Sequence, residues 1–287
     1  MKRVLKRLLL CVALVLVVLL GTAVVGLLLL RSEPEFYRRR QWTPEQRSAA
    51  ARHAEQQFIE LQNHAARARA HESVRRRGAS PATAIAGAIT LRFTEDELNA
   101  FFEKWVVFQD WKSAYEPYIE APAIALREGR IILAARVKKL GCVVSLHFEP
   151  RIVEDGMLQV RLSRILGGRL PLPTLVISES EAQIVAEMQR SLPRWRSRAS
   201  MDSTGAANAD TVAAAMCDLL LNIVRDRAGE PALFLPPVDG RSVPMRLSAV
   251  QVTDGAIDLT IEPFTREERA AILARIKSGD ATASTDR

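Results

Sequence analysis

Residues 142–173 read CVVSLHFEPRIVEDGMLQVRLSRILGGRLPLP, and the alternation within this stretch decides the fold class. Val144, Leu146 and Phe148 alternate with Ser145, His147 and Glu149; past the turn, Leu158, Val160 and Leu162 alternate with Gln159, Arg161 and Ser163. Successive side chains on a strand point to opposite faces, so a period of two predicts an antiparallel hairpin with one apolar and one wet face. Glu154-Asp155-Gly156 stands between the two runs, where glycine supplies the positive φ of a tight reversal. The same unit recurs around Gly129, between strands at 123–127 and 131–137, and around Gly255, between 245–252 and 256–261. The spacings are unequal, which describes a recurring hairpin rather than a solenoid repeat.

Helices are predicted before and after these hairpins. Ile89-Thr90-Leu91-Arg92-Phe93 is a short strand, and Thr94-Glu95-Asp96-Glu97 is a capping box opening a helix whose stripe is Leu98, Phe101, Phe102, Trp105 and Val106. With Phe108, Trp111, Tyr115 and Tyr118, seven of the sixteen aromatic residues fall within eighteen positions, so this segment is read as the main cover of the sheet. A further helix is expected to end at Leu192, residues 193–208 to form a polar loop, and residues 211–227 and 265–277 to be helical. Strands and helices in blocks indicate an α+β domain over residues 89–277, a mostly antiparallel sheet covered on one face by helices. A polar tail, 278–287, reads as disordered.

Upstream, residues 8–30 carry no charge and are nearly all Leu, Val or Ala. Twenty-three residues in a helix reach roughly 35 Å, enough to cross a bilayer core. The run ends in four leucines and Arg31 instead of small residues, which favours an uncleaved signal anchor over a signal peptide. The expectation is a single-pass protein of the cell membrane, residues 1–31 forming its tail and transmembrane helix, with the C-terminal domain extracytoplasmic. Basic residues flank the run on both sides and do not decide its orientation.

Thr43-Pro44-Glu45-Gln46 then starts a helix that nothing breaks before Gly78. Its apolar seam is narrow: Ala50, Ala54, Phe58, Leu61, Ala65 and Ala68. Such a seam supports a weak coiled-coil dimer or lies along the domain; residues 32–77 are read as a helical stalk and 78–88 as a linker. His53, His64 and His71 share one stripe of that helix, but steps of eleven and seven residues rise roughly 16 and 10 Å, too far for one metal ion. They read as solvated histidines.

The residues Thr94-Glu95-Asp96-Glu97-Leu98-Asn99-Ala100, Phe148-Glu149-Pro150, Glu154-Asp155-Gly156 and Gly167-Gly168-Arg169-Leu170-Pro171-Leu172-Pro173 resemble the YpmS-like family of bacterial membrane-anchored proteins. The resemblance covers residues 90–193. It implies one N-terminal anchor and an α+β domain similar to tubular lipid-binding folds, with no catalytic residue to carry over. The long Arg-rich helix and the helix at 211–227 depart from that pattern.

The excess positive charge sits near the N-terminus: residues 1–77 carry fifteen basic and six acidic residues, whereas 78–287 carry 25 and 27. The folded part is nearly neutral and has no basic stripe interleaved with aromatics, which argues against nucleic acid. Anionic headgroups are the natural partner of Arg38, Arg39 and Arg40, and of Trp195 between Arg194 and Arg196. No G-x-S-x-G elbow, phosphate-binding glycine loop, H-E-x-x-H or paired C-x-x-C occurs, so no catalytic residue, metal or cofactor is assigned. Cys142 and Cys217 read as isolated buried thiols or as one disulfide. The functional expectation is a membrane-anchored, non-catalytic domain that binds a hydrophobic ligand, a lipid, with Phe101, Phe102, Trp105, Phe108 and Trp111 as the candidate wall of a groove. The alternative is a scaffold of the cell envelope that recruits protein partners.

Overall fold

A computed structural model describes residues 28–37, 42–75, 87–108, 111–153, 156–172, 185–186, 189–190, 192–201, 207–229, 232–234 and 244–278. Its elements are α1 (Pro44–Arg75), β1 (Ile89–Thr94), α2 (Glu95–Phe108), α3 (Trp111–Tyr115), β2 (Ile119–Arg127), β3 (Arg130–Val137), β4 (Cys142–Ile152), β5 (Leu158–Gly167), β6 (Leu170–Pro171), α4 (Ala209–Val224), β7 (Ala228–Gly229), β8 (Ala232–Phe234), β9 (Pro244–Thr253), β10 (Ala256–Pro263) and α5 (Arg266–Ser278). The three expected hairpins form, and every strand pairing among the described residues is antiparallel.

These strands make two sheets where one was expected. The smaller has the order β1-β10-β9-β8, and the larger β2-β3-β4-β5-β6 with β7 also on β5. Both contribute to one core: Leu91, Phe93, Met245, Leu247, Val252, Ile257 and Ile261 from the smaller sheet meet Leu126 and Leu158 of the larger. Burying a side chain the size of Phe93 contributes about 2–3 kcal/mol relative to leaving it in water. The sheets are stitched where two turns cross. Gly129 N–H donates to the Val252 carbonyl (2.9 Å), Gly255 N–H to the Leu126 carbonyl (3.1 Å), and Glu128 N–H to Asp254 Oδ1 (3.1 Å). Gly129 and Gly255 have φ of 68° and 77°, so the backbone that makes this stitch is one that L side chains rarely adopt.

The stalk reading is corrected. Ala51, Ala54, Leu61 and Ala65 of α1 are buried, and α1 completes the core against β1 and α2. The seam is narrow because its alanines let the helix lie close, while Phe58 fills the deeper gap, its ring 5.2 Å from Phe93 and 4.7 Å from Phe101. Arg47–Glu103 (3.1 Å) and Lys104–Glu55 (2.6 Å) bridge α1 and α2 on the exposed side. The seam that could have joined two copies is thus occupied within one chain.

The single-pass reading is corrected as well. Among the described residues no helix is long and apolar enough to cross a membrane, so neither the transmembrane helix nor the localisation built on it is supported. Residues 1–27 lie outside the described residues. The last residues of the apolar run are spent on the domain: Arg169 N–H donates to the Leu29 carbonyl (3.0 Å), and Leu30 lies over Gly167, where an added Cβ would sit 2.8 Å from Leu30 Cδ1. At Gly168, with φ of 58°, a Cβ would run into the carbonyl oxygens of Leu29 and Leu30.

A second cluster, beyond the two sheets, joins Leu192, Ala199, Ala214, Cys217, Leu221, Phe264, Ile272 and Ile276. Here residues 193–198 are helical where a polar loop was expected. Leu192, in the same helical segment, is buried. The expected helix before Leu192 lies largely outside the described residues, as do the linker and the C-terminal tail. Helix α4 starts two residues earlier than expected because Asn208 caps it, Oδ1 accepting the Thr211 N–H at 2.9 Å.

Candidate functional site

The capping sequence at 94–99 is a structural knot. Thr94 N–H donates to Glu97 Oε2 (2.8 Å) and Glu97 N–H to Thr94 Oγ1 (3.2 Å), the reciprocal pair expected of the box. Glu95 Oε2 accepts from the Leu126 N–H (2.9 Å) and from Arg127 Nη1 (2.9 Å), while its own N–H donates to the Gly255 carbonyl (2.8 Å). Asn99 reads an edge strand as another strand would: Oδ1 accepts the Ile124 N–H (2.8 Å) and Nδ2 donates to the Ile124 carbonyl (2.7 Å). These polar groups hold α2 to both sheets.

Of the proposed groove wall, Phe101 is half-buried against Phe58 and the core, and Phe102 is half-buried on the same helix. Trp105 and Phe108 fall on α2 and Trp111 on α3, but their side chains lie outside the described residues, as do Arg38, Arg39 and Arg40. Trp195 packs against the second cluster, and the neighbouring Arg196 pairs with Asp218 of α4 at 2.7 Å. Burial raises the Asp218 carboxyl above its usual range despite that guanidinium. The structure therefore places Trp195 in packing. His53 is paired through Nδ1 with Glu97, and among the described residues no group of three His, Cys, Asp or Glu could hold a metal ion. Cys142 and Cys217 are not joined in a disulfide; both are buried, and burial raises both thiols.

The predicted wet face of β4 is buried. Ser145 is 0% and His147 5% exposed, whereas Val144, Leu146 and Phe148 are half-buried. Residues 33–37 cover this face: Tyr37 packs with Val143 and Ala134, its hydroxyl donates to the Ala121 carbonyl (2.7 Å), and the Phe36 ring stands edge-on to His147 at 5.7 Å. Glu33 pairs with Arg136, and Glu35 approaches Arg169 at 3.9 Å. Ser145 Oγ and His147 Nε2 are 3.2 Å apart, but His147 Nδ1 is buried with no partner. Burial foremost, then Arg130 and Arg164, push the imidazole below its ordinary pKa. Nothing local in the sequence marks this face, since the cover comes from residues more than a hundred positions upstream.

A different group of side chains stands exposed at one end of the larger sheet. Register places Ile119, Val137, Cys142 and Gly167 at that end. Tyr118, whose carbonyl accepts the Lys138 N–H (3.0 Å), is 71% exposed there, and Leu140 in the β3–β4 turn 59%. Leu28, near the β5–β6 turn, is 64% exposed, and Lys138, Lys139 and Arg169 are exposed around them. Sequence reading counted Tyr118 with the core aromatics and passed over Leu140.

Compared with protein-family models, with curated proteins and with solved structures, the chain matches none, so the YpmS-like resemblance rests on its short motifs alone.

Proposed function

We propose that this protein is a non-catalytic, lipid-binding domain that meets lipid with the exposed end of its larger sheet. The observation that carries the reading is the company of Tyr118, Leu140 and Leu28 with Lys138, Lys139 and Arg169. Apolar tips in water beside a ring of cations suit the boundary between acyl chains and anionic headgroups, where Tyr tolerates one wet and one dry end. Each lysine near such a surface contributes about 1 kcal/mol at physiological ionic strength. The domain would rest on the lipid with these side chains, and the core beneath stays packed. Scaffolding remains the competing class, with these side chains contacting a protein instead.

Sedimentation with phosphatidylcholine vesicles, with and without phosphatidylglycerol, tests the reading on the full chain. The double variants Tyr118→Asp/Leu140→Asp and Lys138→Glu/Lys139→Glu retain residues 8–30, so any difference from the parent reports the sheet end. Each is expected to weaken vesicle binding about ten-fold or more. Equal binding by parent and both variants would defeat the proposal and favour the scaffold.

A further inference from the structure

The outer face of the larger sheet holds more positive charge around His147 than its neighbours neutralise. His147 on β4 lies directly across from Arg164 on β5 and from Ile132 on β3. Arg130, two residues before Ile132, shares that face. Neither Arg130 nor Arg164 makes an ion pair among the described residues. The other charged groups on this side are largely engaged elsewhere. Arg161 approaches Asp226 at 3.9 Å; Arg151 bonds Gln159; Glu33 is taken by Arg136; and Glu35 faces Arg169, while Glu149, two residues from His147 and opposite Arg161 in the register, makes no ion pair among the described residues. Two arginines that make no ion pair among the described residues thus flank a buried imidazole whose Nδ1 has no partner, with Glu149 a single negative charge beside them.

This combination is unfavourable in the unliganded fold. A buried nitrogen without a hydrogen bond pays its desolvation uncompensated, and cations crowded about it oppose protonation. A phosphate resolves both faults at once. Its oxygens accept from two guanidinium forks in charge-assisted bonds, and they accept the proton of Nδ1. Phe36 stands edge-on to the ring, its centroid 5.7 Å from that of the imidazole, as part of the cover over this face.

We propose that Arg130, His147 and Arg164 form a binding site for a phosphate group on the outer face of the larger sheet. This site stands apart from the lipid-facing end and does not depend on it. The group could belong to a soluble phosphate or to a lipid head, and the test separates the two.

The full chain is labelled with carbon-13 at the histidine Cε1, and the His147 resonance is assigned by its loss in His147→Gln. Inorganic phosphate is then titrated at constant ionic strength and pH. A saturable shift of His147 is expected, weakened about ten-fold or more in Arg164→Gln and abolished in Arg130→Gln/Arg164→Gln. A second arm replaces phosphate with phosphatidylcholine vesicles containing phosphatidic acid. Response to phosphate alone identifies a soluble ligand, and response to vesicles identifies a headgroup. A His147 resonance unmoved by either, or one that shifts equally in the double variant, overturns the site.

Discussion

Asn99 and His147 are both polar side chains set against the larger sheet, and they are finished in opposite ways. Asn99 spends its oxygen and its amide on the backbone of Ile124, with Glu95 beside it bonded to Leu126 and Arg127. His147 reaches only Ser145 and leaves Nδ1 unmet between two cations. A polar group whose every atom is answered from within the chain holds the fold together. One left unanswered subtracts from stability, which is why the second place, and not the first, draws a ligand proposal.

The contrast can be broken by substitution. Asn99→Ala strands the N–H and C=O of Ile124 and is expected to cost about 2–3 kcal/mol, read from the urea midpoint at unchanged slope. Glu95→Gln keeps the shape but weakens the bonds to Leu126 and to Arg127, the latter partly exposed; about 1 kcal/mol is expected by the same measurement. His147→Leu, by contrast, replaces a poorly satisfied ring with an apolar side chain beneath Phe36, and should change stability by less than about 1 kcal/mol in either direction. Should His147→Leu cost as much as Asn99→Ala, the two places would be alike and the distinction lost.

Titration sharpens the same comparison. Burial, with Arg130 and Arg164, holds the folded-state pKa of His147 below its ordinary value of 6.5. As pH falls through about 6.5 the unfolded chain takes up the proton first, so stability present above that value is lost below it, down to the folded pKa. Denaturation between pH 8 and about 5 should therefore show a downward slope that shrinks in His147→Leu. An identical slope in the variant would mean that the ring titrates freely in the fold. Saturating phosphate should flatten the slope in the parent, because a bound anion favours the protonated ring.

Much of the scaffold is written locally. The three hairpins follow from alternation and a glycine at each turn, and Thr94 with Glu97 announces its helix in four letters. What escaped is what joins distant segments. Alternation along β4 states that two faces exist but not which is covered, and here residues 33–37 cover the side bearing Ser145 and His147. The seam of α1 is legible as Ala54, Phe58, Leu61 and Ala65, yet a seam is the same whether its partner is another copy or this chain's own β1. Asn99 looks like an ordinary helix residue until an edge strand arrives 25 positions later. The apolar run at 8–30 satisfied the length of a bilayer span, although Leu29 and Leu30 at its end have backbone and side-chain partners within the domain.

Those last contacts set an order of events during synthesis. Gly167, Gly168 and Arg169 receive residues 29 and 30, so the earliest described segment waits for a turn that is made some 140 residues later. At about 5–20 residues per second this interval is on the order of ten seconds. Throughout it Leu29 and Leu30 have no docking place on the domain, and any factor that recognises nascent apolar chain can act on them before the fold does.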